Sequence, residues 1–319
     1  MNTIVLLDLW LPWLVLSTIV TTLPCCVFLF INVTTLYTLR SKAVFRETSR
    51  YILLFNLLFA DTIQLVYSQT MFLLSACEIT LLYPVCAALI VLYSLPDRIS
   101  PVTLVIMCLE RYVAVCYPFR HSTIITMRNT RVVICVVWTF SSLNVIIQLI
   151  LLYKFSFPDM QNVQITGSCG NDSVFVDLVS DLYDKVSTYF LFALGGVTVL
   201  FSYIGIIVAA RSVSTNKASA NKARKTLLLH LVQMGLSMSS TIHNSLLIVI
   251  SQNLGGIVIM HVLVFLYIFL TILPKCLSCL IYGLRDQTIR PVLMFNLSCQ
   301  WRHSSLISDV PARSKTPAT

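Results

Sequence analysis

Residues 226–274 read TLLLHLVQMGLSMSSTIHNSLLIVISQNLGGIVIMHVLVFLYIFLTILP, 49 residues without a Lys, Arg, Asp or Glu. As one helix the run would be about 74 Å long, at about 1.5 Å of rise per residue. The hydrocarbon core of a bilayer is about 30 Å thick and takes about 20 apolar residues per helix. The run must therefore turn back on itself. Its polar, glycine-containing break is Ser251-Gln252-Asn253-Leu254-Gly255-Gly256, the composition of a turn. Two spans follow, about 227–250 and about 257–283.

Working outward, the same test gives five more spans, about 10–39, 51–75, 80–111, 132–153 and 187–210. Asp61 is the one charge in the second, and in the third the stretch from Ile79 to Leu109 is broken only by Asp97 and Arg98. Composition agrees. The 319 residues are 57% hydrophobic and 11% charged, with mean hydropathy +0.85, against about 45–50% apolar and about 25% charged in soluble proteins. That excludes a soluble globular enzyme, a disordered chain and a coiled coil. The fold class is an all-α membrane protein, a seven-transmembrane helix bundle. One domain covers 1–300, with a short amphipathic helix about 285–294 that Pro291 limits. The Ser/Pro/Lys-rich tail, 301–319, reads as disordered. Residues 1–8 carry Asp8 and no basic segment, so the first apolar run reads as signal and anchor at once.

An odd number of spans puts the termini on opposite sides, and the basic residues choose which. Eighteen of the 22 Lys and Arg fall in the 40–50, 110–131 and 211–225 loops and the tail, and only Lys154 and Lys185 fall on the other side. The N-terminus is therefore expected outside and the C-terminus in the cytoplasm. The net charge of +9 then reflects topology and attraction to anionic lipid, and no nucleic-acid partner is expected. The outside loop, about 154–185, is acidic. It holds a glycosylation acceptor at Asn171, in Asn171-Asp172-Ser173, with an unused sequon as the plainer alternative. The Asn32 and Asn296 sequons fall in the first span and the tail. No internal repeat or pair of broken helices marks a transporter. No nucleotide loop, metal-binding His pair or nucleophile elbow is present. Cys276 and Cys279 form a C-x-x-C with no second pair, so neither a metal nor a cofactor is expected.

Four motifs carry a resemblance. Met107-Cys108-Leu109-Glu110-Arg111-Tyr112-Val113-Ala114-Val115-Cys116-Tyr117-Pro118 closes the third span. Leu57-Leu58-Phe59-Ala60-Asp61 lies in the second, and Leu280-Ile281-Tyr282-Gly283-Leu284-Arg285-Asp286 ends the seventh. Asn32 and Trp138 stand in the first and fourth. Together these resemble rhodopsin-like G-protein-coupled receptors, and their wording is similar to the fish-type branch of the odorant receptors. The chain departs from that pattern at Cys279, where the family has a proline three residues before Tyr282. The opsin lysine position, ten residues before Tyr282, is Ile272 here, which argues against a retinal receptor.

The resemblance implies roles. Glu110, Arg111, Tyr112 and Tyr282 would form the activation switch, with Lys222, Arg224 and Lys225 at the G-protein docking surface. An arginine at the inner edge of a span needs pairing or solvent, and Glu110 stands beside Arg111. Asn32, Asp61, Ser100, Lys275 and Ser278 would form a buried polar core. There Lys275 either pairs with Asp61, in place of the family's sodium ion, or snorkels toward the cytoplasm. Cys86 would bond to Cys169, with Cys77 as the rival partner. Tyr93, Ser94, Asp97, His243, Asn244 and Tyr267 are candidate ligand contacts, each with an interhelical hydrogen bond as the alternative. Tyr93 stands where amine receptors carry their aspartate, so the usual biogenic-amine site is not expected. Arg98, next to Asp97, points about 100° away from it.

The function implied is an odorant receptor of the plasma membrane, in sensory cilia. It would bind a small odorant and activate an olfactory, stimulatory heterotrimeric G protein, without covalent chemistry. A rhodopsin-like receptor for another small ligand or peptide, and a transporter or channel, are the competing readings.

Overall fold

A computed structural model describes residues 2–155, 163–165, 169, 171–175, 177–212, 225, 228–229, 231–232, 235–236, 262, 264–284, 286 and 288–297. Among them, five helices are long and apolar enough to cross a membrane. They run Asn2–Ser41, Ser49–Ala76, Tyr83–Cys116, Met127–Phe155 and Leu178–Ser212. The predicted sixth span lies almost wholly outside the described residues, though Leu231 packs on Cys108, Phe192 and Val199. In the seventh, π-helical turns at Tyr267–Ile272 and Leu280–Leu284 flank an α-helical turn at Leu273–Cys279. A last helix, Ile289–Leu297, lies slightly beyond the predicted 285–294.

The helices bury their polar groups and expose their apolar ones. Leu23, Leu92, Phe190 and Phe201 are each at least 65% exposed, while Asn32, Asp61, Gln64, Ser100 and Ser278 are at most 1% exposed. Water would not tolerate that apolar surface. In hydrocarbon the arrangement is favourable, because backbone polar groups close within each helix and side-chain polar groups find partners in the interior. One core cluster joins Leu39, Leu53, Leu57, Leu104, Ile289 and Leu293. It packs the first, second and third spans against the last helix.

The fifth helix starts nine residues before its predicted boundary, at Leu178 rather than 187. Charge at Asp181, Asp184 and Lys185 reads as loop in the sequence. The helix tolerates it for identifiable reasons. Asp177 Oδ2 accepts the backbone N–H groups of Val179 and Ser180 at 2.9 and 3.3 Å, an N-cap. Lys185 reaches back one turn to Asp181 at 2.8 Å, and Asp184 turns inward.

A two-stranded antiparallel ribbon precedes the third span. β1 (Leu81–Leu82) pairs with β2 (Gln164–Ile165), Leu81 opposite Ile165. The Tyr83 hydroxyl donates to the Val174 carbonyl at 2.9 Å. The segment between the fourth and fifth spans is thereby tied to the top of the third.

Candidate functional site

At one end of the third span, Arg111 Nε lies 3.1 Å from Glu110 Oε2. The other carboxylate oxygen, Oε1, lies 3.7 Å from His121 Nε2, on the short helix Pro118–Ile124. The Glu110 side chain is 9% exposed and that of Arg111 21%. The acid is thus the more buried member, and the Arg111 side chain is partly exposed although its Nη2 is buried. Tyr112 turns the other way, toward Ile206 and Tyr203 of the fifth span. Its ring fills the space where Gly205 would carry a Cβ, so a glycine is required at that close approach. Lys225 is exposed. Lys222 and Arg224 lie outside the described residues, as does the Tyr282 side chain.

Deeper in the bundle, Asp61 joins three helices. The Ser100 hydroxyl donates to Oδ1 at 2.7 Å, and the Ser278 hydroxyl donates to Oδ2. Lys275, one turn before Ser278 and 3% exposed, is an electrostatic neighbour of Asp61. The direct oxygen contacts described are the two serines, so Lys275 acts on Asp61 through space. Asn32 is fully buried, and among the described residues neither polar atom of its amide has a hydrogen-bond partner.

Cys279 faces the first span, with Thr35 Oγ1 at 3.0 Å from its Sγ. The ring expected near that position sits five residues earlier, as Pro274, in the first turn of the α-helical segment. A proline supplies no N–H to the helix ladder, and π turns stand on both sides of the segment that begins with it. The irregularity of the seventh span therefore survives without a proline at position 279.

In the outer half, Asp97 and Arg98 part company. Asp97 faces the second span, where Gln64 Nε2 donates to Oδ1 at 2.9 Å. The Tyr93 hydroxyl is a hydrogen-bonding neighbour of the same carboxylate. The Tyr93 ring stacks on Tyr67 with centroids 4.4 Å apart. Tyr267 donates to Gln69 Oε1 at 3.4 Å and stacks on Phe72. Ser94 returns its hydroxyl to its own helix, at the Ile90 carbonyl. Arg98 faces the fifth span, with Nη2 at 3.2 Å from Asp184 Oδ1 and Nη1 at 3.0 Å from Ser187 Oγ. Gln148 of the fourth span donates to the same Asp184 oxygen at 2.6 Å. His243 and Asn244 lie outside the described residues.

Cys86 and Cys169 form a disulfide with a Cα–Cα separation of 5.8 Å, and Cys77 is a free, exposed thiol. Asn171 begins a short helix, Asn171–Val174. Several structural contacts were not among the expected site residues. Asn56 accepts from Trp138 Nε1 at 2.8 Å and donates to Thr103 at 2.9 Å. Asp286 pairs with Arg50 at 3.0 Å and accepts the Thr288 N–H at 2.8 Å. For Gln64 the available signal was an amide three residues after Asp61, on the same helix face. For Tyr67 and Asp184 only the tertiary contact reveals the role.

Comparison with known proteins places this geometry in a family. Residues 31–296 match the family described as 7 transmembrane receptor (rhodopsin family). Odorant receptor 131-2 of Danio rerio is 32% identical over 86% of this chain and 83% of its own. Olfactory receptor 1073 of Rattus norvegicus is 27% identical over 77% and 79%, and Olfactory receptor 4K15 of Homo sapiens is 26% identical over 83% and 80%. The chain belongs to the rhodopsin family of seven-transmembrane receptors and groups there with the odorant receptors.

Proposed function

We propose that this receptor binds a small odorant in the outer half of its bundle and activates a stimulatory, olfactory-type heterotrimeric G protein. Its N-terminus faces the extracellular fluid, and its basic loops face the cytosol of a sensory cilium. It catalyses no covalent step. The observation that carries this reading is the Glu110–Arg111 pair at 3.1 Å, with a buried acid and a partly exposed arginine. Such a pair holds the arginine in one state and can release it in another. Lys225 is exposed on the sixth-span side, where Lys222 and Arg224 precede it, and all three are docking residues in this reading. Asn171 carries the glycan.

The work is a population shift, so the odorant must bind the active arrangement more tightly than the resting one. Moving a 1:99 mixture to 99:1 takes a preference of about 10⁴-fold.

The test is a cyclic-AMP reporter in cells supplying the olfactory G protein, with receptor at the surface counted by an N-terminal tag. Arg111→Ala should reach the surface and give no odorant response. Normal signalling from that variant would refute the switch. Staining of the N-terminal tag only after permeabilisation would refute the orientation.

A further inference from the structure

The bundle interior carries unequal charge. Arg98 and Asp184 cancel, 3.2 Å apart. On the opposite side of the third span lie two carboxylates, Asp61 and Asp97, near enough to repel, with one ammonium, Lys275. Among the described residues no cation is in ion-pair contact with Asp97. The sixth span cannot supply a permanent one, because 226–274 contains no Lys or Arg. Among the described residues one negative charge is left without a counterion in ion-pair contact.

The groups around that charge accept hydrogen bonds. Gln64 is fully buried and gives its Nε2 to Asp97, leaving its Oε1 buried without a partner among the described residues. The Tyr67 hydroxyl oxygen, a turn further along the second span, is also buried without one. The rings of Tyr67 and Tyr93 stack beside them, and Tyr267 of the seventh span is an electrostatic neighbour of Tyr93. Asp97, Tyr67, Tyr93 and Tyr267 keep partial exposure while Gln64 behind them has none.

We propose that the residue cluster between the second, third and seventh spans binds a small organic ammonium ion, with Asp97 as its counterion. An –NH₃⁺ group has three N–H donors and no acceptor, and Asp97, Gln64 Oε1 and the Tyr67 oxygen are the three acceptors. Tyrosine ring faces attract the same charge. A carboxylate ligand is excluded, because Asp97 repels it and Arg98 is engaged on the far side of the helix. The aspartate sits one turn deeper than the position amine receptors use, so the residue at 93 gave no sign of it. The proposal names the ligand class for the odorant pocket and rests on that reading.

The test uses the purified full-length receptor in detergent at constant ionic strength, with one carbon skeleton in three charge states: cyclohexylammonium, cyclohexanol and cyclohexanecarboxylate. Cyclohexylammonium should raise the unfolding midpoint saturably. The alcohol should need a concentration about 10- to 100-fold higher, the factor expected for losing charge-assisted hydrogen bonds, and the carboxylate should do nothing. Asp97→Asn should abolish the saturable ammonium shift, and Asp97→Glu should keep it. Tyr67→Phe, which preserves the ring, should weaken it several-fold and carries the test should Asp97→Asn not fold. Equal effects of amine and alcohol on the native receptor would overturn the proposal. So would an unchanged ammonium curve in Asp97→Asn or, where that variant does not fold, in Tyr67→Phe. A midpoint that follows sodium and ignores the amine would do the same. Amine binding that never produces G-protein activation in cells defeats the receptor reading and leaves the site. Activation by odorants without charge preference does the reverse.

Discussion

Asp184→Ala is expected to be severely destabilising, although the residue lies in a segment whose sequence reads as an exposed acidic loop. Its carboxylate lies 3.2 Å from Arg98, with side-chain exposures of 19% and 8%. At that distance the attraction is about 5 kcal/mol with an effective dielectric constant of about 20. Removing one partner leaves the other charge buried and uncompensated, and the net loss in such cases is about 3–5 kcal/mol. Gln148 also loses the acceptor it holds at 2.6 Å. Asp184→Asn keeps an acceptor and should cost less, about 1.5–3 kcal/mol. The double variant Arg98→Met with Asp184→Leu removes both charges and should recover most of the loss.

The assay is thermal unfolding of the purified receptor in detergent, where the single variant should fall by on the order of 10 °C. The deficit should persist at high salt, because ions screen a buried pair poorly. Two results would refute the reasoning. One is a single variant that melts with the native protein. The other is a double variant no better than Asp184→Ala.

Glu110→Gln removes the carboxylate charge that pairs with Arg111. Given the partial exposure of Arg111, the release is worth about 1 kcal/mol, and ligand-independent cyclic AMP per surface receptor should rise about fivefold. An unchanged baseline would mean the pair does not hold the resting state. Lys275→Met leaves Asp61 without its neighbouring ammonium and should sharply reduce surface receptor, and adding Asp61→Asn should restore much of it. Failure of the double variant to improve on the single would remove the coupling. Gly205→Ala pushes a methyl group into the Tyr112 ring and should cost about 1–3 kcal/mol. Unfolding midpoints should show the loss, with relief when Tyr112→Ala is added. A Gly205→Ala protein as stable as the native one would show that the ring yields freely.

Much of the fold was legible in the amino-acid order because a membrane imposes one dominant rule. A charge-free run of 49 residues cannot be one helix, and apolar length alone marked the other spans. The pairing of Arg111 with Glu110 was legible because the two are sequence neighbours, so it is nearly a local property. The divergence of Asp97 and Arg98 was legible for the same reason, since adjacent helical residues point about 100° apart. The start of the fifth helix was not. Asp181, Asp184 and Lys185 are polar, and hydropathy reads polar residues as loop. Asp184 is helical because Arg98, 86 residues away in the chain, neutralises it.

Periodicity and composition thus determined how many times this chain crosses the bilayer and which helix faces are polar. Only the tertiary structure decided which polar group meets which. Ser100 and Ser278 converge on Asp61, Asn56 locks Trp138 to Thr103, and Gln64 meets Asp97, which has no ion-pair partner among the described residues. The reason is that lipid excludes water from all these groups alike. A polar group that leaves its own helix therefore looks for a partner on another, and distance along the chain carries no information about which helix that will be.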